Sequence, residues 1–306
     1  MFETLTRYLF YRCIECCRRF DILLKVGEIH PVKSGNPKPV YFRKYKVCMF
    51  STNLLAMTSP TIYRSAESVL NALNAHKADN IEAVNTLIEV YNNALNAFME
   101  DEKQNPVTNR HPLVVLEGLD GCGKSTVSKK LASKLQAERW CTPPESIKNI
   151  RHLFDEHAVL RTAYYALGNY IAALECSILL KKQPVIMDRY WHSTSAYAIA
   201  QAVNDFPGEV EIPPEGDTFY HWPNDLLKPN LVLFLDVNED NRIQRLSRRT
   251  EITLQENLLR NSQQFRDNII LAYKNMVSPQ AIFVDSNLKM NKVIAAINDK
   301  LQDVLK

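Results

Sequence analysis

From Arg110 onward, short apolar runs alternate with stretches whose apolar positions recur every three or four residues. The runs read as buried strands and the recurring stretches as amphipathic helices. The pattern predicts strands at Leu113–Leu116, Pro184–Met187, Leu231–Val237 and Ala281–Val284, with a long Pro-rich loop ending at Pro229. It predicts helices at Val127–Glu138, Ser146–Asp155, Val159–Leu180, Ser193–Val203, Asp240–Arg248, Leu254–Met276 and Val293–Leu305. Strands and helices in alternation imply the α/β class, a parallel sheet with helices on both faces. Upstream, Val69, Leu70 and Leu73, then Ile81, Val84, Leu87, Ile88, Tyr91, Leu95 and Phe98, fall at helical spacing, with Asn80 as an N-cap between the two series. That is a helical hairpin. The polar stretch Asp101–Pro106 closes it, so the chain divides into residues 1–60, a hairpin at 61–105 and an α/β domain at 110–306.

The first strand runs directly into Gly118, Leu119, Asp120, Gly121, Cys122, Gly123, Lys124, Ser125 and Thr126. Gly118 to Ser125 match G-x-x-x-x-G-K-[ST], the loop that cradles nucleotide phosphates, and the strand before it and the helix after it are the context that the motif requires. Glycines let the backbone N–H groups turn inward, and the following helix presents its positive dipole end. Lys124 then reaches the β- and γ-phosphates of ATP, and the Ser125 hydroxyl ligates Mg²⁺. The second strand ends in Asp188-Arg189-Tyr190. An acid there can order the metal, so Asp188 joins Ser125 as a metal residue, and Arg189 can neutralise donor and acceptor phosphates together. Arg242, Arg245, Arg248 and Arg249 cluster near one helix end and read as a lid over the triphosphate, the alternative being a solvated charged face.

Composition narrows the class. The chain has 306 residues, 46% of them hydrophobic, with a net charge of +3. No apolar run is long enough to span a bilayer, so no membrane span is expected. Basic residues concentrate before residue 50, which fits a mitochondrial targeting leader, a membrane-surface contact or a nucleic-acid contact. Met49–Arg64, acid-free and rich in Ser and Thr, is a second candidate leader. The seven cysteines are scattered; Cys13, Cys16 and Cys17 have the spacing for a metal or lipid site, and ordinary thiols are the simpler reading.

The segment Glu117–Thr126 together with Asp188-Arg189-Tyr190, Ser193 and Ala196-Tyr197 resembles the thymidylate kinase family, which joins E-G-x-D-G-x-G-K-[ST] to D-R-[YH]. Arg151–Glu156, Tyr165–Tyr170, Asp188–Ala200 and Trp222–Pro229 are similar to its UMP-CMP kinase branch. The resemblance implies transfer of the ATP γ-phosphate to a pyrimidine nucleoside monophosphate in a P-loop kinase fold, with Mg²⁺. It implies roles for Lys124, Arg189, Asp120 and the arginines Arg245, Arg248 and Arg249 in the transfer, and an acceptor position bordered by Tyr190 and Tyr197. Two departures bear on the acceptor. Ser146 stands where the family's phosphate-contacting Arg would be, and Asn169-Tyr170 replaces its Asn-Arg base-reading pair. A Tyr has no charged fork to offer a thymine carbonyl. Arg151 and Arg161 are the candidates to restore the charge and Tyr165 to stack on the base, which favours UMP, CMP, dUMP or dCMP over dTMP. The alternatives are a thymidylate kinase proper and a nucleotide-binding protein without turnover. A homodimer through Val159–Leu180, no nucleic-acid partner and a mitochondrial or cytoplasmic location complete the expectations.

Overall fold

A computed structural model of the chain describes residues 59–247 and 259–302. The basic leader with Cys13, Cys16 and Cys17, most of Met49–Arg64, and Arg248 and Arg249 lie outside the described residues. The hairpin is present as α1 (Ala66–Ala75) and α2 (Ile81–Gln104). Ser65 caps α1 through a reciprocal pair with Ser68, and the Asn80 carboxamide accepts from the Ala83 N–H at the start of α2, as its position predicts.

The rest alternates β1 (Leu113–Glu117), α3 (Lys124–Leu135), β2 (Glu138–Cys141), the short α4 (Glu145–Lys148), α5 (Ala158–Leu179), β3 (Val185–Asp188), α6 (Trp191–Asp205), β4 (Leu231–Asp236), α7 (Glu239–Leu246), α8 (Gln263–Asn275), β5 (Ala281–Asp285) and α9 (Met290–Leu301). Among the described residues the four strand pairings of the sheet are parallel, in the order β2-β3-β1-β4-β5. With β1 central, Leu116 registers with Asp188 and Asp188 with Cys141, so the carboxyl ends of three strands meet on one edge. Ligands of open parallel sheets bind at that edge.

Three differences from the expected pattern have physical causes. β2, Glu-Arg-Trp-Cys, was not expected: it is a half-exposed edge strand and carries no apolar run. In place of one helix over Ser146–Asp155 there are α4 and a 3₁₀ turn at Arg151–Phe154, separated at Asn149 and Ile150. The helix expected over Leu254–Met276 is interrupted: Ser262 is extended and its hydroxyl accepts from the Phe265 N–H, starting α8 afresh.

Two apolar clusters sandwich the sheet. One joins Val69, Leu73, Val84 and Leu87 of the hairpin to α5, α6 and one sheet face, and the other joins the opposite face to α3 and α9. The hairpin packs along α5, the helix that the pattern had left open for pairing with a second copy. The Tyr170 hydroxyl of α5 donates to Asp225 Oδ1 at 2.7 Å, and Asp225 Oδ2 accepts from the Ala66 N–H at 2.8 Å. Tyr170 therefore bridges the kinase-like half to the start of α1.

His192, on α6, is fully buried, with Nε2 2.8 Å from Pro279 O and a ring parallel to that of Tyr273. Burial pushes its pKa down to about 4 from 6.5. Between those values the unfolded chain holds a proton that the native chain does not, so stability rises with pH through that window and levels off above it. We expect this group to withdraw up to about 3 kcal/mol as pH falls from 6.5 to 4. Urea midpoints against pH should show the slope in the native sequence and lose most of it in His192→Gln; an unchanged slope would refute the assignment.

Candidate active site

The phosphate loop leaves β1 as a chain of constrained turns. Gly118, Gly121 and Gly123 all have positive φ (136°, 90° and 104°), which a side chain would strain. Space excludes one as well at the first two. A Cβ on Gly118 would fall 2.8 Å from Leu235 O, and one on Gly121 would fall 2.9 Å from Arg242 O. The loop ends as the N-terminus of α3, with Gly123 as its N-cap and Lys124 as its first residue.

Lys124 is 6% exposed. Its Nζ donates to Gly118 O at 2.9 Å and to Leu119 O at 3.2 Å, so the ammonium folds over the loop that it is expected to serve. Across the sheet edge, Ser125 Oγ donates to Asp188 Oδ2 at 3.0 Å. A hydroxyl and a carboxylate are the hard oxygen donors that Mg²⁺ takes, usually one or two from the protein with the rest from water and phosphate. The pair thus fits the ion, although among the described residues no cluster of three or more His, Cys, Asp and Glu side chains could hold a metal by itself.

Arg189 follows β3 in the left-handed region, φ 66°. A non-glycine residue held there stores about 1–3 kcal/mol of strain and is commonly found at functional sites. The surroundings enforce it. Its Nη2 donates to Asp120 Oδ1 at 2.7 Å, its Nη1 to Ser193 Oγ at 3.2 Å, and its guanidinium lies 5.5 Å from the centre of the Tyr197 ring. Burial opposes the charge, yet Asp120 and the neighbouring tyrosines and Glu117 outweigh it and hold the pKa well above the ordinary arginine value.

Behind Arg189 lies a buried polar group whose first member, Glu117, the sequence reading places in the motif without giving it a role. Glu117, at the end of β1, accepts from the Tyr190 N–H (2.9 Å), the Ser193 N–H (3.3 Å), the Ser193 hydroxyl and the Tyr273 hydroxyl (2.8 Å). Burial raises its pKa, against the lowering effect of those hydroxyls and of Arg189 and Lys124. Its position before the first glycine was the one signal available; Tyr273 comes from α8, far along the chain.

A cleft of about 270 Å³ is lined by Asp120, Gly121, Gly123, Lys124, Ser125, Thr126, Cys141, Thr142, Asp188 and Arg189. Cys141 and Thr142 enter through β2, the strand missed in the pattern, and burial is the main cause that raises the Cys141 pKa.

The other expected residues fall into two groups. Arg151 and Arg161 both bind Asp155, the first at its carboxylate and the second at its main-chain carbonyl, and Arg151 also binds Tyr165. Arg151 Nη2 lies 3.2 Å from Asp155 Oδ2, its Nη1 donates to the Tyr165 hydroxyl at 3.2 Å, and Arg161 donates to Asp155 O at 2.8 Å. Asn169 is buried, donates to Thr194 Oγ1 at 2.9 Å and keeps its carboxamide oxygen without a partner, as does the buried Tyr197 hydroxyl. Buried polar atoms are normally satisfied, so such atoms are ready for a ligand or water. In contrast, Tyr190 is fully buried with its hydroxyl on Leu227 O at 3.0 Å, and Tyr170 is held by Asp225. None of these seven expected acceptor residues, Arg151, Arg161, Tyr165, Asn169 and Tyr197 included, is among those that line the cleft.

The lid reading also changes. Arg242 is fully buried and grips Glu239 with two bonds of 2.7 and 2.6 Å while reaching Asp120 O at 3.3 Å. Arg245 donates to Cys122 O (3.0 Å) and Ser286 O (2.9 Å). Both arginines of α7 are committed to main-chain carbonyls of the phosphate loop or its neighbours.

The sequence profile of the thymidylate kinase family matches residues 116–297, more than half of the chain. Over 193 residues the chain is 41% identical to human mitochondrial UMP-CMP kinase 2, a match that spans 62% of this chain and 42% of that protein. The chain thus covers less than half of that relative's length. A probable thymidylate kinase of Methanococcus maripaludis is 27% identical over 208 residues, spanning 63% of this chain and 98% of that one. Among solved structures, the thymidylate kinase of Candida albicans aligns with a TM-score of 0.47 at 22% identity, covering 63% of this chain and 92% of that chain.

Proposed function

Because the chain belongs to the thymidylate kinase family, we propose that it transfers the γ-phosphoryl group of ATP to the α-phosphate of a pyrimidine nucleoside monophosphate, giving a diphosphate and ADP. The observation that carries this reading is the meeting of Lys124, the Ser125–Asp188 pair and the Asp120–Arg189 pair in one cleft at the carboxyl edge of the sheet. An acceptor phosphate oxygen attacks the γ-phosphorus, and the bond from that phosphorus to the β–γ bridging oxygen breaks, its electron pair leaving with ADP. The attacking oxygen is already ionised, so no side chain has to remove a proton. The protein's share is positioning and charge neutralisation.

In that role Lys124 exchanges its bonds to Gly118 O and Leu119 O for β- and γ-phosphate oxygens, and the loop N–H groups hold the β-phosphate. Ser125 and Asp188 would hold Mg²⁺, which neutralises charge on the phosphates when bound. Arg189 lies between the two phosphates, oriented by Asp120. Arg151, Arg161 and Tyr165 would face the acceptor with Asn169 and Tyr197, and Tyr170 and Tyr190 would support that wall from behind. Arg245 steadies the loop, and for Arg248 and Arg249 the lid role rests on sequence spacing alone.

UMP, CMP and their deoxy forms are the preferred acceptors in this reading. Tyr170 leaves no guanidinium for the thymine carbonyl, and 41% identity to a UMP-CMP kinase agrees with that choice. Steady-state kinetics with Mg-ATP and each of UMP, CMP, dUMP, dCMP and dTMP test it. The expected result is kcat/KM for UMP or CMP above that for dTMP; a preference for dTMP would make the protein a thymidylate kinase proper, and no turnover with any acceptor would favour a binding protein. We place the protein in the mitochondrion on its basic leader and that same relative. A cytosolic pool with an uncleaved leader would contradict this.

A further inference from the structure

The amino end of α6 has no cap of its own: Tyr190, its N-cap residue, offers no side-chain acceptor. Glu117 supplies one from another element, taking the Tyr190 and Ser193 N–H groups on Oε1. Its second oxygen takes the Ser193 and Tyr273 hydroxyls. Every donor that Glu117 binds on α6 thus belongs either to the residue after Arg189 or to Ser193, the residue that receives the Arg189 guanidinium. Arg189 is itself strained at φ 66° and would relax if its neighbours let go. None of Glu117, Tyr190, Ser193 and Tyr273 lines the cleft.

We propose that Glu117 is a positioning residue for phosphoryl transfer: aided by Tyr273, it fixes the Arg189 backbone and the Ser193 hydroxyl so that the guanidinium stays aimed into the cleft beside Asp120. This rests on the reading of Arg189 as the group between the two phosphates. A purely structural Glu117 would affect stability alone. A positioning Glu117 affects turnover through Arg189, and Tyr273 extends the same control to α8, outside the cleft.

A double-mutant cycle in the full chain separates the two. Glu117→Gln should lower kcat by about 10- to 100-fold, as loss of charge-assisted bonds at that distance from the reaction implies, while KM for ATP stays within about 3-fold. In an Arg189→Ala background the same change should lower kcat by less than about 3-fold, since the group that it positions is gone. Tyr273→Phe, which keeps the carboxylate and is the milder change, should follow the same pattern at about 3- to 10-fold, and supplies the result if Glu117→Gln does not fold. Equal losses in both backgrounds, or a lowered melting temperature with unchanged kcat, would overturn the positioning role while leaving the kinase reading intact. Arg189→Ala with normal turnover would remove Arg189 from the reaction and the positioning role with it, whereas a native chain with no turnover on any acceptor would overturn the kinase reading.

Discussion

Lys124→Ala is expected to lower kcat by about 10²- to 10³-fold, the usual consequence of removing one preorganised donor from a developing charge. The magnitude follows from the environment. The ammonium is nearly excluded from water and already held by Gly118 O and Leu119 O, so its desolvation and ordering are met before ATP arrives. A charge placed this way interacts more strongly with phosphate oxygens than a solvated lysine does. Lys124→Arg should be nearly as damaging, because the planar fork does not fit where a slender stem turns back over the loop. The fold should persist, since the loop glycines and the Arg245 and Ser286 bonds to Cys122 O remain. Steady-state kinetics with circular dichroism test this; turnover within about 3-fold of normal in a folded variant would remove Lys124 from the reaction.

For Arg189→Ala the expected loss in kcat is larger, about 10³- to 10⁵-fold, the range found for arginines that neutralise transferring phosphoryl groups. Two effects add here. The bridging charge disappears, and Asp120, which lines the cleft, loses the 2.7 Å ion pair with Arg189, so less of its negative charge is offset near the phosphates. Arg189→Lys should recover only a small part, because one ammonium cannot meet Asp120, Ser193 and two phosphates at once. KM for the acceptor should rise in both variants, whereas ATP binding by the loop should change less. Kinetics with varied acceptor at saturating ATP distinguish these effects, and an unaltered kcat would show that another cation bridges the phosphates.

The site was legible in the sequence where its chemistry is local. The three glycines with positive φ, Lys124 and Ser125 occupy one short turn, and their geometry follows from their spacing. The apolar runs of β1, β3 and β4 were legible because these strands are buried on both faces. What escaped was either exposed or distant. β2 brings Cys141 and Thr142 to the cleft as a polar edge strand with no apolar signature. Glu117 and Tyr273 meet across 156 residues, and no spacing rule connects them. The arginines of α7 show the opposite failure: their helical spacing suggested a ligand-facing surface, but Arg242 and Arg245 bind Glu239, Ser286 and loop carbonyls, partners that become apparent only in the folded chain. Tyr170, which the resemblance sets at the base-reading position, likewise has its hydroxyl taken by Asp225.

The central claim is that the cleft transfers phosphate between two nucleotides rather than merely binding one. Incubating the full chain and Mg²⁺ with ATP labelled at the γ-phosphate and with UMP or CMP, then separating the products, tests it most directly. The account predicts that the label moves into the terminal position of UDP or CDP in step with ADP formation, and that Arg189→Ala slows the transfer by the same factor of about 10³ to 10⁵. Label appearing only as inorganic phosphate, at a rate indifferent to the acceptor, would contradict it.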